Sequence, residues 1–235
     1  ASVVIEGESG TGKELVARAL HFSSLNSDNP FVAENCGAIH ENLLESELFG
    51  HVKGAFTGAS HDRVGRFVEA GNGTLFLDEV AEMSPSMQAK LLRVLQEGEV
   101  RPVGSNKVAK VSARLLAATH HNLFDLVSRG EFREDLYYRL NVITLRVPAL
   151  RERISDIPLL ANYLMRKHSE KNSQEVRPFS ALAMKQLCNY SWPGNVRELE
   201  NEIQRLCMLN RGEVQLEELS APILTAEAST SDNFK

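Results

Sequence analysis

The sequence predicts an α/β fold, a parallel sheet flanked by helices, followed by a smaller all-helical domain. Three observations predict it. Val3-Val4-Ile5 runs into the glycine-rich stretch Gly7-Glu8-Ser9-Gly10-Thr11-Gly12-Lys13-Glu14 and then into a helical pattern. A second apolar run, Thr74-Leu75-Phe76-Leu77, ends in Asp78-Glu79 about sixty-five residues after Lys13. Beyond Pro148 to Arg153 the spacing is helical, over 156–171, 180–190 and 195–209. The expected units are an α/β domain at 1–150, a helical domain at 151–224 and a polar tail or linker at 225–235.

Composition limits the function classes. The chain has 235 residues, 43% hydrophobic and 24% charged, enough for a substantial core without disulfide staples. A net charge of −5 argues against a wide basic face for DNA. Cys36, Cys188 and Cys207 are an odd number without metal-like pairing, so they read as reduced thiols in a cytoplasmic protein. No apolar run approaches a membrane span, and no signal peptide is seen. The strand opening at Val3 and the polar end from Thr225 read as cuts within a longer chain.

Strand, glycine-rich turn and helix in that order make a phosphate cradle. Glycines let backbone amides turn inward with no Cβ in the way. The helix adds its unpaired N–H groups and positive end, and Lys13 reaches the β- and γ-phosphates. Residues 13–22 carry that helix, with Val16, Ala19 and Leu20 expected on one face. The residue after the lysine is usually Ser or Thr, on Mg²⁺. Here it is Glu14, for which two readings stay open: approach to the ion or its water, or a solvent-facing carboxylate.

Pro30 to Ala33 leads into a short strand ending near Asn35-Cys36. Asn35 either faces the catalytic groups or caps the next turn, and the residues weigh equally for both. Residues 40–49 have helical spacing, with Leu43, Leu44 and Leu48 expected to share a face. Gly50 to Ser60 reads as a flexible loop with Phe56 at or near its tip, since glycines bracket one Phe and one Thr. An exposed aromatic there suggests contact with a partner.

The apolar run at 74–77 reads as a buried parallel strand, whose carboxyl end opens where ligands bind. Asp78 would hold Mg²⁺ through water, and Glu79 would polarise the attacking water. Ser84 and Pro85 open a helix, Met87, Leu91, Val94 and Leu95 form its stripe, and Gly98 ends it. The next strand lies within Val108 to Ala118. Thr119-His120 at its end could sense the γ-phosphate, although an ordinary loop histidine is slightly favoured. Residues 122–130 form a short helix. Arg133 and Arg139 flank acidic residues and read either as surface ion pairs or as an arginine reaching a neighbouring subunit's γ-phosphate. Residues 141–147 form the last strand. In the helical part, Trp192-Pro193-Gly194-Asn195 is a tight turn before a helix with Val196, Leu199, Ile203 and Leu206 on one face. Arg197 sits in that helix's first turn, where the dipole disfavours a cation, which marks it for function.

Five segments together resemble the central AAA+ domain of sigma-54-dependent transcription activators. They are Gly-Glu-Ser-Gly-Thr-Gly-Lys-Glu at 7–14, Gly-Ala-Phe-Thr-Gly-Ala at 54–59, Gly-Thr-Leu-Phe-Leu-Asp-Glu at 73–79, Phe-Arg-Glu-Asp-Leu-Tyr-Tyr-Arg-Leu at 132–140 and Trp-Pro-Gly-Asn-Val-Arg-Glu-Leu at 192–199. The match covers nearly the whole chain, and the hexapeptide is the most specific part. The resemblance implies a P-loop AAA+ sheet with a helical lid, in a regulator of the two-component kind. It implies a hexameric ring, with a heptamer as the alternative, and ATP between subunits. Gly7, Glu8, Ser9, Gly10, Thr11, Gly12, Lys13 and Glu14 would bind phosphates, and Glu14 matches the family's own residue. Asp78 and Glu79 would serve Mg²⁺ and water, with Asn35 as switch partner of Glu79. Arg133 and Arg139 match arginines acting in trans, and Arg197 the lid residue that senses nucleotide. Gly54, Ala55, Phe56, Thr57, Gly58 and Ala59 match the loop that touches sigma-54 in the polymerase holoenzyme. DNA would be met only through a helix-turn-helix domain that this sequence does not include. Two positions depart from the pattern: His120 where many members have Asn, and Val68 where many have Glu. A reading of another class is an ATP-binding, oligomerising scaffold that does not hydrolyse; the Asp78-Glu79 pair and the 54–59 hexapeptide argue against it.

Overall fold

The computed structural model describes residues 2–209 and 212–226. The chain divides into two units, Ala1–Gly7 with Lys13–Val147, and Glu8–Gly12 with Pro148–Lys235. Of the tail expected over 225–235, residues 227–235 lie outside the described residues. Among the described residues no helix is long and apolar enough to cross a membrane.

In chain order the first unit runs β1 (Val3–Glu6), α1 (Lys13–Phe22), β2 (Phe31–Asn35), α2 (Glu41–Phe49), β3 (Gly50–His51), β4 (Arg63–Val64) and α3 (Arg66–Glu69). It continues with β5 (Thr74–Asp78), a 3-10 turn at Val80–Glu82, α4 (Pro85–Glu97), β6 (Glu99–Val100), β7 (Ala109–Lys110), β8 (Arg114–Thr119), α5 (Leu123–Ser128), α6 (Glu134–Leu140) and β9 (Ile143–Arg146). Five strands form one parallel sheet in the order β2-β5-β8-β1-β9. Alternation along the inner strands supplies two cores. Val4, Leu75, Leu77, Leu115 and Ala117 pack with α2 to α6 on one face. Val3, Ile5, Phe76, Leu116 and Ala118 pack with α1 on the other. Strands apolar on both faces are what a covered parallel sheet needs.

Register decides what meets at the carboxyl edge. Asn35 is level with Asp78, and Glu6 is level with Thr119. The ends of four strands, and the chain leaving them, therefore share one rim.

Local signals work as expected for α4. Ser84 accepts the Met87 N–H, Pro85 occupies the first turn, and Gly98 stops the helix at φ 67°. Two helix faces differ from expectation. In α1 the buried positions are Lys13, Ala17 and His21, four apart, whereas Ala19 is exposed. His21 is fully buried, with its Nδ1 2.9 Å from Thr74 Oγ1, a polar pairing that an apolar pattern cannot show. In α2, Leu44 and Leu48 are buried while Leu43 is 52% exposed. Neighbouring residues point about 100° apart on a helix, and the buried stripe of α2 takes Leu44, Leu48 and Phe49 and leaves Leu43 beyond its edge.

The second unit holds 3-10 turns at Leu150–Glu152, Ile154–Asp156 and Leu216–Glu218, and helices α7 (Ile157–Lys171), α8 (Ala181–Asn189), α9 (Asn195–Leu209) and α10 (Ala221–Leu224). Its core gathers Leu164, Leu187, Trp192, Leu199, Ile203 and Leu206. Trp192 is fully buried and donates its indole N–H to the Leu187 carbonyl at 2.8 Å. Arg177 is buried too, and donates to the Leu206 and Gly212 carbonyls and the Glu218 carboxylate.

Candidate functional site

In the first unit the sheet's carboxyl rim carries an ordered line of charges. Lys13, buried at the start of α1, donates from Nζ to the Gly7 carbonyl at 2.9 Å and lies 3.8 Å from Glu79 Oε1. The other carboxylate oxygen of Glu79 lies 2.6 Å from His120 Nδ1 and accepts the His120 backbone N–H at 3.3 Å. Glu79 sits at φ 53°, ψ 47° in left-handed backbone. A non-glycine residue held there costs on the order of 1–2 kcal/mol, and such strain concentrates at functional positions. The sequence left His120 between a phosphate sensor and a loop histidine; β5 and β8 are neighbours, and their ends bring it onto Glu79.

Asp78 accepts the Glu79 N–H at 3.1 Å. Burial pushes its carboxyl above the usual aspartate range, and the Glu79 charge adds to this against Lys13. Asn35 takes the capping reading: its Oδ1 accepts the Gly37 N–H at 2.9 Å, and no bond to Glu79 is found among the described residues. Burial, then the charges of Glu34, Asp78 and Glu79, push the Cys36 thiol far up, so it stays protonated. Glu14 is exposed and pairs with Arg18 one turn on, at 2.7 Å.

The two candidate arginines have local partners. Arg133 grips Asp135 through two bonds at 3.0 and 2.7 Å, and its backbone N–H is held by the buried Gln88. Arg139 donates to the Leu95 carbonyl at 2.7 Å, in the last turn of α4.

The hexapeptide Gly54 to Ala59 lies between β3 and β4, which pair antiparallel at its base. It is closed by Gly54 N–H to Ala59 carbonyl at 2.9 Å and by Ala59 N–H to Phe56 carbonyl at 3.0 Å. Phe56 is 39% exposed, with its ring edge-on to His51 at 5.0 Å, and Thr57 is exposed. A second loop supports the first, which sequence reasoning missed. Val52 N–H donates to the Val103 carbonyl and Val103 N–H to the Gly50 carbonyl. A Cβ on Gly104 would lie 2.7 Å from the Cβ of Ala55.

In the second unit, residues 8–12 are held through their carbonyls. Asn195 is fully buried at φ 53°. Its Nδ2 donates to the Ser9 carbonyl at 3.0 Å and to Glu8 Oε2 at 3.2 Å, while its Oδ1 accepts the Leu150 N–H at 2.8 Å. Arg197 donates to Ser9 Oγ at 3.2 Å and its backbone N–H to the Gly10 carbonyl. Arg153 donates to the Thr11 carbonyl at 3.0 Å, and Arg151 pairs with Glu8. Gly10 is obligatory: at φ 78°, a Cβ would lie 2.3 Å from the Gly194 carbonyl oxygen. Among the described residues the N–H groups of Ser9, Gly10 and Gly12 have no partner. With the carbonyls turned to these donors, the amides are left for an anion. The spacing of a single chain segment could not show that Asn195, Arg151 and Arg153 would do this.

The Sigma-54 interaction domain family matches residues 1–146, and the AAA+ ATPase lid domain family matches residues 151–235. The transcriptional regulatory protein ZraR of Salmonella typhimurium is 59% identical over 213 residues, 91% of this chain and 48% of that protein. GlrR of Escherichia coli K12 is 53% identical over 233 residues, 99% of this chain and 52% of that protein. The chain thus spans about half the length of the curated relatives it matches. The structure is similar to that of NtrX from Brucella abortus in complex with ADP, with a TM-score of 0.88 and 40% identity, covering 95% of this chain and 50% of that one. An Hsp104–ADP complex of S. cerevisiae, at 18% identity and a TM-score of 0.63 over 89% of this chain and 40% of that one, shares the fold alone.

Proposed function

The chain belongs to the sigma-54 interaction domain family of AAA+ ATPases, and from that premise we propose that it hydrolyses ATP in a ring and uses the energy to remodel sigma-54 RNA polymerase for promoter opening. The observation that carries the reading is the rim line Lys13–Glu79–His120 beside Asp78. It unites a phosphate-reaching cation with a carboxylate able to take a proton from water.

We assign Gly7 to Glu14 to the phosphates and Arg197 to nucleotide sensing; Glu14, turned to Arg18, has the weakest case. Glu79 is the base that orients the attacking water, and Asp78 the residue that serves Mg²⁺. The fit of Asp78 rests on its own electrostatics: a half-buried carboxylate beside Glu79 is short of positive charge. Bound there, the ion would neutralise charge on the phosphate oxygens. Asn35 lies level with Asp78, and with its Oδ1 on the Gly37 N–H its Nδ2 is the group able to donate to Glu79.

Arg133 and Arg139 are assigned to the neighbouring subunit's nucleotide, in a hexamer or heptamer. Gly54 to Ala59 are assigned to sigma-54, since Phe56 and Thr57 stand exposed on a loop braced from below. The setting is the bacterial cytoplasm. Phosphate release from assembled rings with Mg²⁺ and ATP tests the reading. Steady release supports it; ATP binding and assembly with none would favour the non-hydrolysing scaffold.

A further inference from the structure

Beside the catalytic line, three metal-ligating side chains converge. The ligand atoms of Glu82, His120 and His121 all lie within 4.8 Å of one another. Glu82 follows β5 in the 3-10 turn, and the two histidines follow β8. Neighbouring residues of an extended strand point to opposite sides. Here the chain bends at once: Thr119 Oγ1 accepts the His121 N–H at 3.0 Å. Both imidazoles then fall on one side, with centroids 3.9 Å apart. His121 Nε2 stands 3.2 Å from Glu82 Oε1.

Two imidazoles and a carboxylate suit first-row transition ions, whereas Mg²⁺ prefers oxygen alone. A zinc ion about 2.0–2.2 Å from each ligand needs them roughly 3–3.5 Å apart. Glu82 and His120 are exposed and His121 is half-buried, so side-chain rotation closes the gap. A second observation points the same way. Glu79 occupies Nδ1 of His120 at 2.6 Å, so Nε2 is the nitrogen left for a metal. A carboxylate on the far nitrogen is the usual support of a metal-bound histidine, fixing both ring and tautomer.

We propose that Glu82, His120 and His121 bind a transition-metal ion of the Zn²⁺ class and that occupancy restrains Glu79. With Nε2 on the ion, the Nδ1–H of His120 stays on Glu79 Oε2, and the carboxylate stays engaged when it should meet water. Binding itself is independent of the ATPase reading; the effect on hydrolysis rests on it.

The test uses the nucleotide-free protein and Co²⁺ as the probe, with Zn²⁺ displacing it. One Co²⁺ per chain with the strong visible bands of low coordination is expected, and His121→Ala and Glu82→Gln each weaken it about tenfold or more. In phosphate-release assays at saturating Mg²⁺ and ATP, Zn²⁺ slows the wild type but not His121→Ala, whose metal-free rate is unchanged. Absent bands, or equal binding by His121→Ala, would overturn the site. Equal zinc sensitivity of the two proteins would overturn the restraint on Glu79. If no protein releases phosphate, the ATPase reading fails while the Co²⁺ result still decides the site.

Discussion

Glu79 and His120 are joined: Nδ1 of the histidine lies 2.6 Å from Oε2 of the glutamate, across the ends of two neighbouring strands. The join fixes a strained residue whose other oxygen faces Lys13. Replacing the carboxylate by an amide keeps the size and one acceptor oxygen but removes the basicity. Glu79→Gln should therefore bind ATP as the wild type does and lose about 10²–10⁴-fold in hydrolysis. Parallel nucleotide-binding and phosphate-release measurements check this, and near-normal turnover would exclude Glu79 as the base.

Asn195 ties residues 8 and 9 to Leu150 from a fully buried position. Asn195→Ala leaves the Leu150 N–H and the Ser9 carbonyl without partners. Each such loss costs about 1–3 kcal/mol, so a drop of roughly 2–6 kcal/mol is expected in the second unit. The chain's one tryptophan, Trp192, lies three residues away and reports the unfolding by fluorescence. ATP affinity should fall as well. Unchanged stability and affinity would show that residues 8–12 hold their shape without the clamp.

Asp78 has its carboxyl raised from 3.8 by burial, and further by Glu79. The folded chain then holds that proton more tightly than the unfolded chain. Its favourable contribution is complete below 3.8 and is lost as pH rises through the folded value. At neutral pH the ionised group costs stability, so Asp78→Asn should melt higher than the wild type without nucleotide or metal. The advantage should vanish as pH falls towards 3.8. Melting curves across pH check the sign; a variant less stable at neutral pH would contradict it.

Arg139 holds the Leu95 carbonyl in the last turn of α4. Arg139→Ala should cost about 0.5–1 kcal/mol through that helix end alone. A role on a neighbouring subunit's nucleotide needs a different readout. Arg139→Ala subunits mixed with Lys13→Ala subunits should recover part of the ATPase activity that neither has alone. Assembled mixed rings with no recovery would confine Arg139 to its structural bond.

Phe56 and Thr57 are exposed while the loop beneath them is bonded at both ends. Thr57→Ala removes one hydroxyl and no internal bond of the loop. It should keep most ATPase activity and lose sigma-54 binding and open-complex formation. Full activation by this variant would remove Thr57 from the contact.

The sequence by itself determined the main strands and helices, though not the short β3–β4 and β6–β7 pairs, and it singled out the residues that line the rim. A glycine-rich turn, an apolar strand ending in Asp78-Glu79 and capped helices are local facts, set by backbone sterics and hydrogen-bond spacing within a few residues. The 54–59 hexapeptide was legible for the same reason, as a short string unlike any packed segment. Only the tertiary structure decided what those residues touch. Parallel pairing of β5 with β8 joined His120 to Glu79 and gathered Glu82 beside two histidines. Packing within the second unit put Asn195, Arg151 and Arg153 on residues 8–12, more than 130 positions away in the chain. The Asn35–Gly37 bond is by contrast local, an i, i+2 turn that was one of the two readings left open by the sequence, while packing within the first unit left Leu43 outside the core. The long-range contacts depend on strand register and on polar groups finding partners once water is excluded, and neither is written in the spacing of any one segment.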